Sequence, residues 1–447
     1  VHAVDHALAQ RHAPYIRFDR HEPFFPTAAG YTIFWADGPS PSFPRDMILP
    51  PGAVQIIEYA IWWDWDIQHL YELEHIWIYL DADENIIRAE ASRHGGYALM
   101  ANGNDAPPLE GGHLTLVSEP GKHAFAPAPQ WHLDRAERIE RLCRVPGRMG
   151  VHVPPLFEEA LRPHRTPIAN RLVLTYLSAQ AFQPTFDFTR LFKLDTVTLL
   201  PWEQLRAWIP DRVTWWIQRL HDTIPAHEQQ ALHIARCTTP ANGSLDVLEA
   251  IRETARTGAE IIEMDVCTTA DDVLVIPCDA SLRQAPAGDE MVVTVDGLVD
   301  VCIAQGVGLY LNVEHLPEEA IALLLDELVQ RGFTDYAIFG SSQPDILIAI
   351  KSRLPNATTA IRVHLTHEDP VLLAQTANSD YVHLCQEEAL PSYSALIDSW
   401  LRRAHAAGLG IIGWQTDRPE DIAAFRALGI DAIYTSASTP LRDKKDG

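Results

Sequence analysis

Long apolar runs are missing from this chain. No window approaches the ~20 consecutive apolar residues of a membrane-spanning helix, which excludes that class of membrane protein. A basic-then-apolar leader is also missing. Basic residues are scarce: 35 Lys and Arg stand against 60 Asp and Glu, a formal charge of −25. Nucleic acid and anionic membranes attract basic surfaces, so neither is expected as a non-specific partner, whereas binding of cations fits. The six cysteines (Cys143, Cys237, Cys267, Cys278, Cys302 and Cys385) show no metal-ligand spacing. Most sit in apolar runs, where buried free thiols are the default. The expected setting is therefore a reducing, cytoplasmic interior, with a secreted form that has lost its leader as the alternative. Low-complexity tracts and short repeats are absent, so neither a linker-like nor a solenoid architecture applies.

What remains is a chain of ordinary globular composition, long enough at 447 residues for two cores. The rhythm changes near residues 222–230, which divides the chain into residues 1–222 and 230–447. Residues 1 to about 50 have little periodicity apart from a TIFWAD strand. Strand-like runs follow (IIRAEASRH, HLTLVSE, KHAFAP), separated by turns such as ANGNDAPPLEGG. A mainly β, sandwich-like domain with added helices is expected, the helices being WHLDRAERIERLCRV and Trp202 to Leu220. Beyond the boundary, apolar strands alternate with amphipathic helices, from LHIARC through AEIIEMDVC, VLVIPC and GLYLNVE to DAIYTS. That alternation means a parallel sheet, and about eight such units fit a (β/α)8 barrel.

The first domain is organised around Ile57 to Asp81, IEYAIWWDWDIQHLYELEHIWIYLD. Two aromatic-rich runs of strand period flank Asp64, Asp66, His69, Glu72 and Glu74. Unpaired burial of these groups would be costly, and a divalent cation would satisfy them together. The alternative is a pair of half-exposed strands joined by a solvated acidic turn. HLYELEH resembles the GHRHDWE heptapeptide of the necrosis- and ethylene-inducing-like proteins, and SRHGGY and GKHAFAP resemble two later strands of that family. The resemblance implies a divalent ion (Ca, Mg, Mn or Zn) on His69, Glu72 and Glu74, with Asp64 or Asp66 as the upstream acid and His94 and His123 nearby. Glu72 stands for the family's Asp and Tyr71 for its second His, so membrane-damaging activity does not follow from the match.

In a barrel the functional side chains lie at the C-terminal ends of the strands. Those positions are Arg236, Glu263 and Asp265, Cys278 and Asp279, Glu314 and His315, Ser341 and Ser342, and Trp414. E-x-D in an apolar strand puts Glu263 and Asp265 on one side. With Glu314 converging from the neighbouring strand they would form a hard-oxygen site for Mg or Ca. AEIIEMDVCTTADDVLVIPCDASL, LNVEHLPEE, FGSSQPDIL and the closing AHAAGLGIIGWQTDRPEDIAAFRALGIDAIYTS are similar to the corresponding segments of glycerophosphodiester phosphodiesterases. The resemblance covers most of Leu232 to Pro440 and implies a (β/α)8 barrel with those three metal carboxylates. The two histidines that carry the family's acid–base chemistry are replaced, at the matching positions, by Arg236 and Cys278. His233 lies too early on its strand to substitute, Leu316 stands for a lysine and Asp417 for an asparagine. Arg236 cannot act as a base but can clamp a phosphate bidentately. Cys278 is a nucleophile beside a cation or a plain buried thiol, and His315 is the nearest substitute proton carrier.

The leading expectation is a divergent, metal-dependent phosphodiesterase acting on a small-molecule or lipid-headgroup phosphodiester. A second is a degenerate barrel with the function in the N-terminal cluster, whose mixed ligands also suit Mn, Fe or Zn. A third is a non-enzymatic lipid-headgroup-binding or cytolytic protein. Nothing in the sequence sets the oligomeric state.

Overall fold

The computed structural model describes residues 2–93, 95–103, 105–225, 228–237, 247–268, 274–276, 293–314, 316–364, 369–385 and 394–436. Two compact units result, one of Val1–Arg165 with Val173–Thr223 and one of Thr166–Leu172 with Ile224–Gly447. No described helix is long and apolar enough to cross a membrane.

The first unit is rich in strands. Its main sheet contains β1 (Ala28–Phe34), β2 (Gln55–Trp65), β3 (His69–Leu80), β4 (Ile86–Arg93), β5 (Gly96–Leu99) and β6 (Thr198–Pro201), in the order β6-β1-β2-β3-β4-β5. The short strand Gly150–Val151 pairs with the start of β3. A second sheet is built from Tyr15–Phe18, His113–Ser118, Phe125–Ala126 and Arg190–Lys193. β2 and β3 form an antiparallel hairpin with Ile57 opposite Ile78 and Trp63 opposite Glu72, and only Asp66, Ile67 and Gln68 lie between the strands.

The hairpin is not half-exposed. Every residue of β2 and most of β3 are buried, including Trp62, Trp63 and Trp77, so these strands are covered on both faces. Helix α1 (Trp202–Thr223) supplies part of the cover, and it approaches β1 where Gly30 leaves room for Trp202 and Leu205. The helices Gln130–Leu133 and Ala136–Arg144 lie where the sequence suggests. Helices His2–Arg11 and Pro167–Ser178 were not expected, and the region before residue 50 is therefore more regular than its pattern implies. His2–Arg11 has no clear apolar stripe, and the proline opening the other helix reads equally as a break or as an N1 residue.

The second unit is a closed parallel barrel of eight strands: β7 (Leu232–Arg236), β8 (Ile261–Asp265), β9 (Gly308–Asn312), β10 (Ala337–Ser341), β11 (Thr358–His364), β12 (Tyr381–Cys385), β13 (Gly410–Ile412) and β14 (Ala432–Ser436). Amphipathic helices such as Glu318–Gln330 and Pro419–Leu428 lie between them. VLVIPC is not a barrel strand: Leu274–Ile276 joins a small antiparallel sheet with Cys267–Thr268 and Val293–Thr294. The short connection from β8 permits hairpin pairing, whereas a parallel neighbour needs a crossover of roughly a dozen residues.

The barrel interior is filled by Ile234, Tyr310, Ile338, Ala360, Tyr381, Ile412, Ala432 and Tyr434. Tyr310 lies against Gly340, where any Cβ would collide with its ring. Its hydroxyl is 2.9 Å from Nδ1 of His383, which burial, then Arg362 and His364, push down to about 3. The folded barrel therefore holds a neutral imidazole while the unfolded chain protonates below about 6.5. Stability contributed by the neutral form is present above pH 6.5 and is lost as the pH falls toward 3, on the order of 5 kcal/mol in all. Urea midpoints of the barrel should fall steadily between pH 6.5 and 4, with a flatter profile in His383→Gln. Equal slopes for the two proteins would count against this assignment.

Candidate functional site

Two groups of charged side chains stand out, one in each unit. In the barrel, parallel register brings Arg236 beside Glu263 and Asp265 beside Asn312 at the C-terminal ends of β7, β8 and β9. Nε of Arg236 is 3.6 Å from Glu263 Oε2 and Nη2 is 3.7 Å from Asp265 Oδ2. The Asn312 amide donates to Glu263 and, at 2.8 Å, to Asp265 Oδ1, while the Tyr434 hydroxyl donates to Glu263 Oε2 at 2.9 Å. Burial, then the nearby Asp265 charge, raise the pKa of Glu263, and Arg236 opposes them.

Glu314 is held separately. It accepts from the Ser342 amide and hydroxyl, the latter at 2.6 Å, and from Arg362 Nη1 at 3.0 Å. The three carboxylates expected to meet at one cation therefore do not close on one point: Glu263 and Asp265 share Arg236 and Asn312, while Glu314 turns to Arg362. The physical reason is that the mouth carries its own cations. Arg362 is near enough to influence both Arg236 and Glu263. In the ring of eight strands, β7 and β11 are diametrically opposed, so the two guanidiniums come from facing walls.

Cys278, Asp279 and His315 lie outside the described residues. His233 is buried with Nε2 2.9 Å from the Thr435 hydroxyl, and the half-buried Trp414 packs edge-on against Phe425. Asp417 accepts from the Ser436 amide at 2.8 Å. Sequence reasoning missed Asn312, Arg362 and Tyr434. A charged residue inside the apolar run AIRVHL was the available signal for Arg362, since a cation there needs a buried partner.

In the first unit the turn between β2 and β3 gathers Asp66, His69 and Glu72. Among the described residues this is the only group of three or more His, Cys, Asp and Glu whose ligand atoms all lie within 4.8 Å of one another. His69 Nε2 is 3.6 Å from Asp66 Oδ1 and 3.7 Å from Glu72 Oε2. Its Nδ1 lies 2.7 Å from the Tyr71 carbonyl, which assigns the proton to Nδ1 and leaves the Nε2 lone pair facing the two acids. Burial holds the His69 pKa well below its ordinary value, so the ring is neutral. Tyr71 adopts φ +60° to present that carbonyl, a strained conformation for a bulky residue. Asp66 Oδ2 is buried with no hydrogen-bond partner.

The other expected ligands are engaged elsewhere. Asp64 forms a two-pronged pair with Arg212 of α1, at 2.8 and 2.7 Å, and accepts from Trp62 Nε1 at 3.1 Å. Glu74 accepts from the Ser92 hydroxyl and is close enough to raise the pKa of Glu72, behind the larger effect of burial. His123 stacks on Trp63 and lies 3.4 Å from Glu22, and His94 is outside the described residues. The unforeseen member is Lys122, with Nζ 2.8 Å from Asp66 Oδ1 and 3.3 Å from His69 Nε2. The described cysteines are all free thiols.

Residues 309–438 match the model of the glycerophosphoryl diester phosphodiesterase family. A comparison with curated protein sequences finds no match. Among solved structures, similar chains include a glycerophosphodiester phosphodiesterase from Parabacteroides distasonis (15% identity, 46% of this chain and 92% of that one, TM-score 0.39). Another is the glycerophosphodiester phosphodiesterase from Agrobacterium tumefaciens (15% identity, 47% and 98%, TM-score 0.37). A phosphodiesterase from Oleispira antarctica, solved with the product sn-glycerol-3-phosphate, is 18% identical over 48% of this chain and 94% of that one, with TM-score 0.38.

Proposed function

We propose that the barrel mouth binds a phosphodiester of the glycerophosphodiester or phospholipid-headgroup class and hydrolyses it slowly, with a divalent cation. The observation that carries this reading is the opposed pair Arg236 and Arg362, each held by a carboxylate at the C-terminal end of the barrel. Guanidiniums offer paired donors to phosphate oxygens. The family match over residues 309–438 supports the substrate class.

Charge supports the cation. Glu263, Asp265 and Glu314 outnumber Arg236 and Arg362 by one, so the network alone repels an anionic diester. A divalent ion would turn that balance to plus one, which a phosphodiester neutralises. The Asn312 amide oxygen is buried without a hydrogen-bond partner beside Glu263 and Asp265, and its donor chemistry suits a hard cation. Glu263, Asp265 and Asn312 would hold the ion, with Glu314 on the neighbouring strand. When bound, the ion supplies charge neutralisation at the phosphoryl oxygens.

The chain's own residues then bind and orient. Arg236 and Arg362 grip the non-bridging oxygens, and Tyr434 and Asn312 keep Glu263 in place. Water attacks phosphorus and gives up its proton to solvent, the bond to the leaving alkoxide breaks, and the alcohol takes its proton from solvent. Arg236 keeps its proton at neutral pH and cannot accept one from water. Each absent imidazole lowers the rate by roughly 10²–10⁴. Release of alcohol from glycerophosphocholine, glycerophosphoethanolamine and glycerophosphoinositol with Mg or Ca should be measurable and slow. Arg362→Ala should reduce kcat/KM by about 10- to 100-fold, the worth of a charged hydrogen bond. Equal rates in the two proteins would remove Arg362 from the site.

A second reading rests on a specific observation, the neutral His69 Nε2 aimed between Asp66 and Glu72. That donor set fits a borderline cation such as Mn or Zn. The likeness of HLYELEH to a metal-holding heptapeptide supports His69 and Glu72 in that set.

A further inference from the structure

The position a metal ion would take beside Asp66 and His69 is contested by a side chain of the same unit. We propose that Lys122 is the built-in cation of this cluster, and that a divalent ion enters only by displacing its ammonium. The inference rests on the second reading above, that Asp66, His69 and Glu72 form a metal-ligand group.

The geometry excludes joint occupancy. Lys122 Nζ stands 2.8 Å from Asp66 Oδ1 and 3.3 Å from His69 Nε2. An ion on those two atoms would sit at roughly 2.0–2.4 Å from each, within about 3 Å of the nitrogen. Ion and ammonium together would bring three positive charges against the two carboxylates Asp66 and Glu72, in a site where little water screens them.

The lysine is also held deliberately. It lies between two residues with left-handed backbone, Gly121 at φ +70° and His123 at φ +63°. The Lys122 and His123 amides both turn back to the Glu119 carbonyl, at 3.2 and 2.9 Å. The Gly121 amide donates to Glu22 Oε2 at 2.7 Å, and its carbonyl accepts from Ile67 at 2.8 Å, inside the turn that carries Asp66. A Cβ at Gly121 would meet Ile67 at 2.9 Å, so the loop's close approach to that turn requires glycine. A non-glycine residue with positive φ, as at His123, is costly and persists only where its surroundings impose it. The loop is thus shaped to deliver one ammonium to Asp66, leaving Asp66 Oδ2 unpartnered and available to an incoming ion.

The test is titration of the full chain with Mn or Zn by calorimetry, together with metal content by elemental analysis. Lys122→Met should bind one equivalent at least ten times more tightly than the wild-type chain. Lys122→Gln, which keeps a donor for Asp66, should do the same and covers the case in which the Met variant folds poorly. The additional equivalent should vanish in Lys122→Met/His69→Ala, which separates it from ions held by the barrel. Lys122→Met should also melt lower than wild type in chelator and recover on adding metal. Equal or weaker affinity in the Lys122 variants, with metal still bound at His69, would overturn the displacement idea and leave the ligand group standing. No His69-dependent metal in any of the proteins would overturn both.

Discussion

Glu263→Gln should lower turnover of a glycerophosphodiester by about 10²–10³-fold while the barrel stays folded. Glu263 is buried, and its two oxygens already accept from Asn312 and from Tyr434. Gln has nearly the same shape and keeps one acceptor, so packing survives. What disappears is the negative charge that holds Arg236 in the mouth and that would anchor a divalent ion beside Asp265. Without it Arg236 retains, among the described residues, its carboxylate partner Asp265, which is partly exposed. Both consequences act on the phosphate and neither on the core, so kcat/KM is the sensitive quantity and the melting curve is not. Binding of Mg or Ca should weaken in parallel. A Gln variant with wild-type turnover would show that the diester is processed elsewhere in the chain.

Trp62→Ala should destabilise the first unit by about 3–5 kcal/mol, the range for removing a fully buried large aromatic. Trp62 has no exposed surface. It stacks on Tyr71 at 4.6 Å between ring centres and meets Trp208 of α1 edge-on at 5.9 Å. Its indole also donates to Asp64, which in turn pairs with Arg212. Arg212 lies over the rings of Trp208, Trp215 and Trp216, with the shortest approach 4.5 Å to Trp215. The truncation therefore opens a cavity and removes one of the two donors to Asp64 Oδ1 in one step. Hydrogen exchange should rise in peptides covering 55–80 and 202–223 before the rest of the unit, with a matching fall in the urea midpoint. A loss below about 1 kcal/mol would mean that the sheet closes around the missing ring.

The same residues mark where sequence reading reaches its limit. Asp64 and Asp66 are two apart, and a regular strand would put both on one face. β2 ends at Trp65, however, so Asp66 belongs to the turn and Tyr71 bends the returning strand through a positive φ. Asp66 then joins His69 while Asp64 meets Arg212, a division no pattern announces because α1 lies almost 140 residues further on, as the numbering of Asp64 and Trp202 gives it. Tyr71, expected only as a replaced histidine, instead sets the His69 tautomer through its carbonyl.

By itself the sequence determined the eight-fold alternation of the barrel, the shared side of Glu263 and Asp265, and the hairpin of two aromatic strands around an acidic turn. Those features follow from local periods of the backbone, which any window of residues carries. Only the tertiary structure decided that Glu263 and Asp265 face Arg236 and Glu314 faces Arg362, and that Lys122 reaches Asp66. Which cation neutralises which acid depends on distances between strands and loops far apart in the chain, and burial makes each such pairing obligatory once the chain has folded.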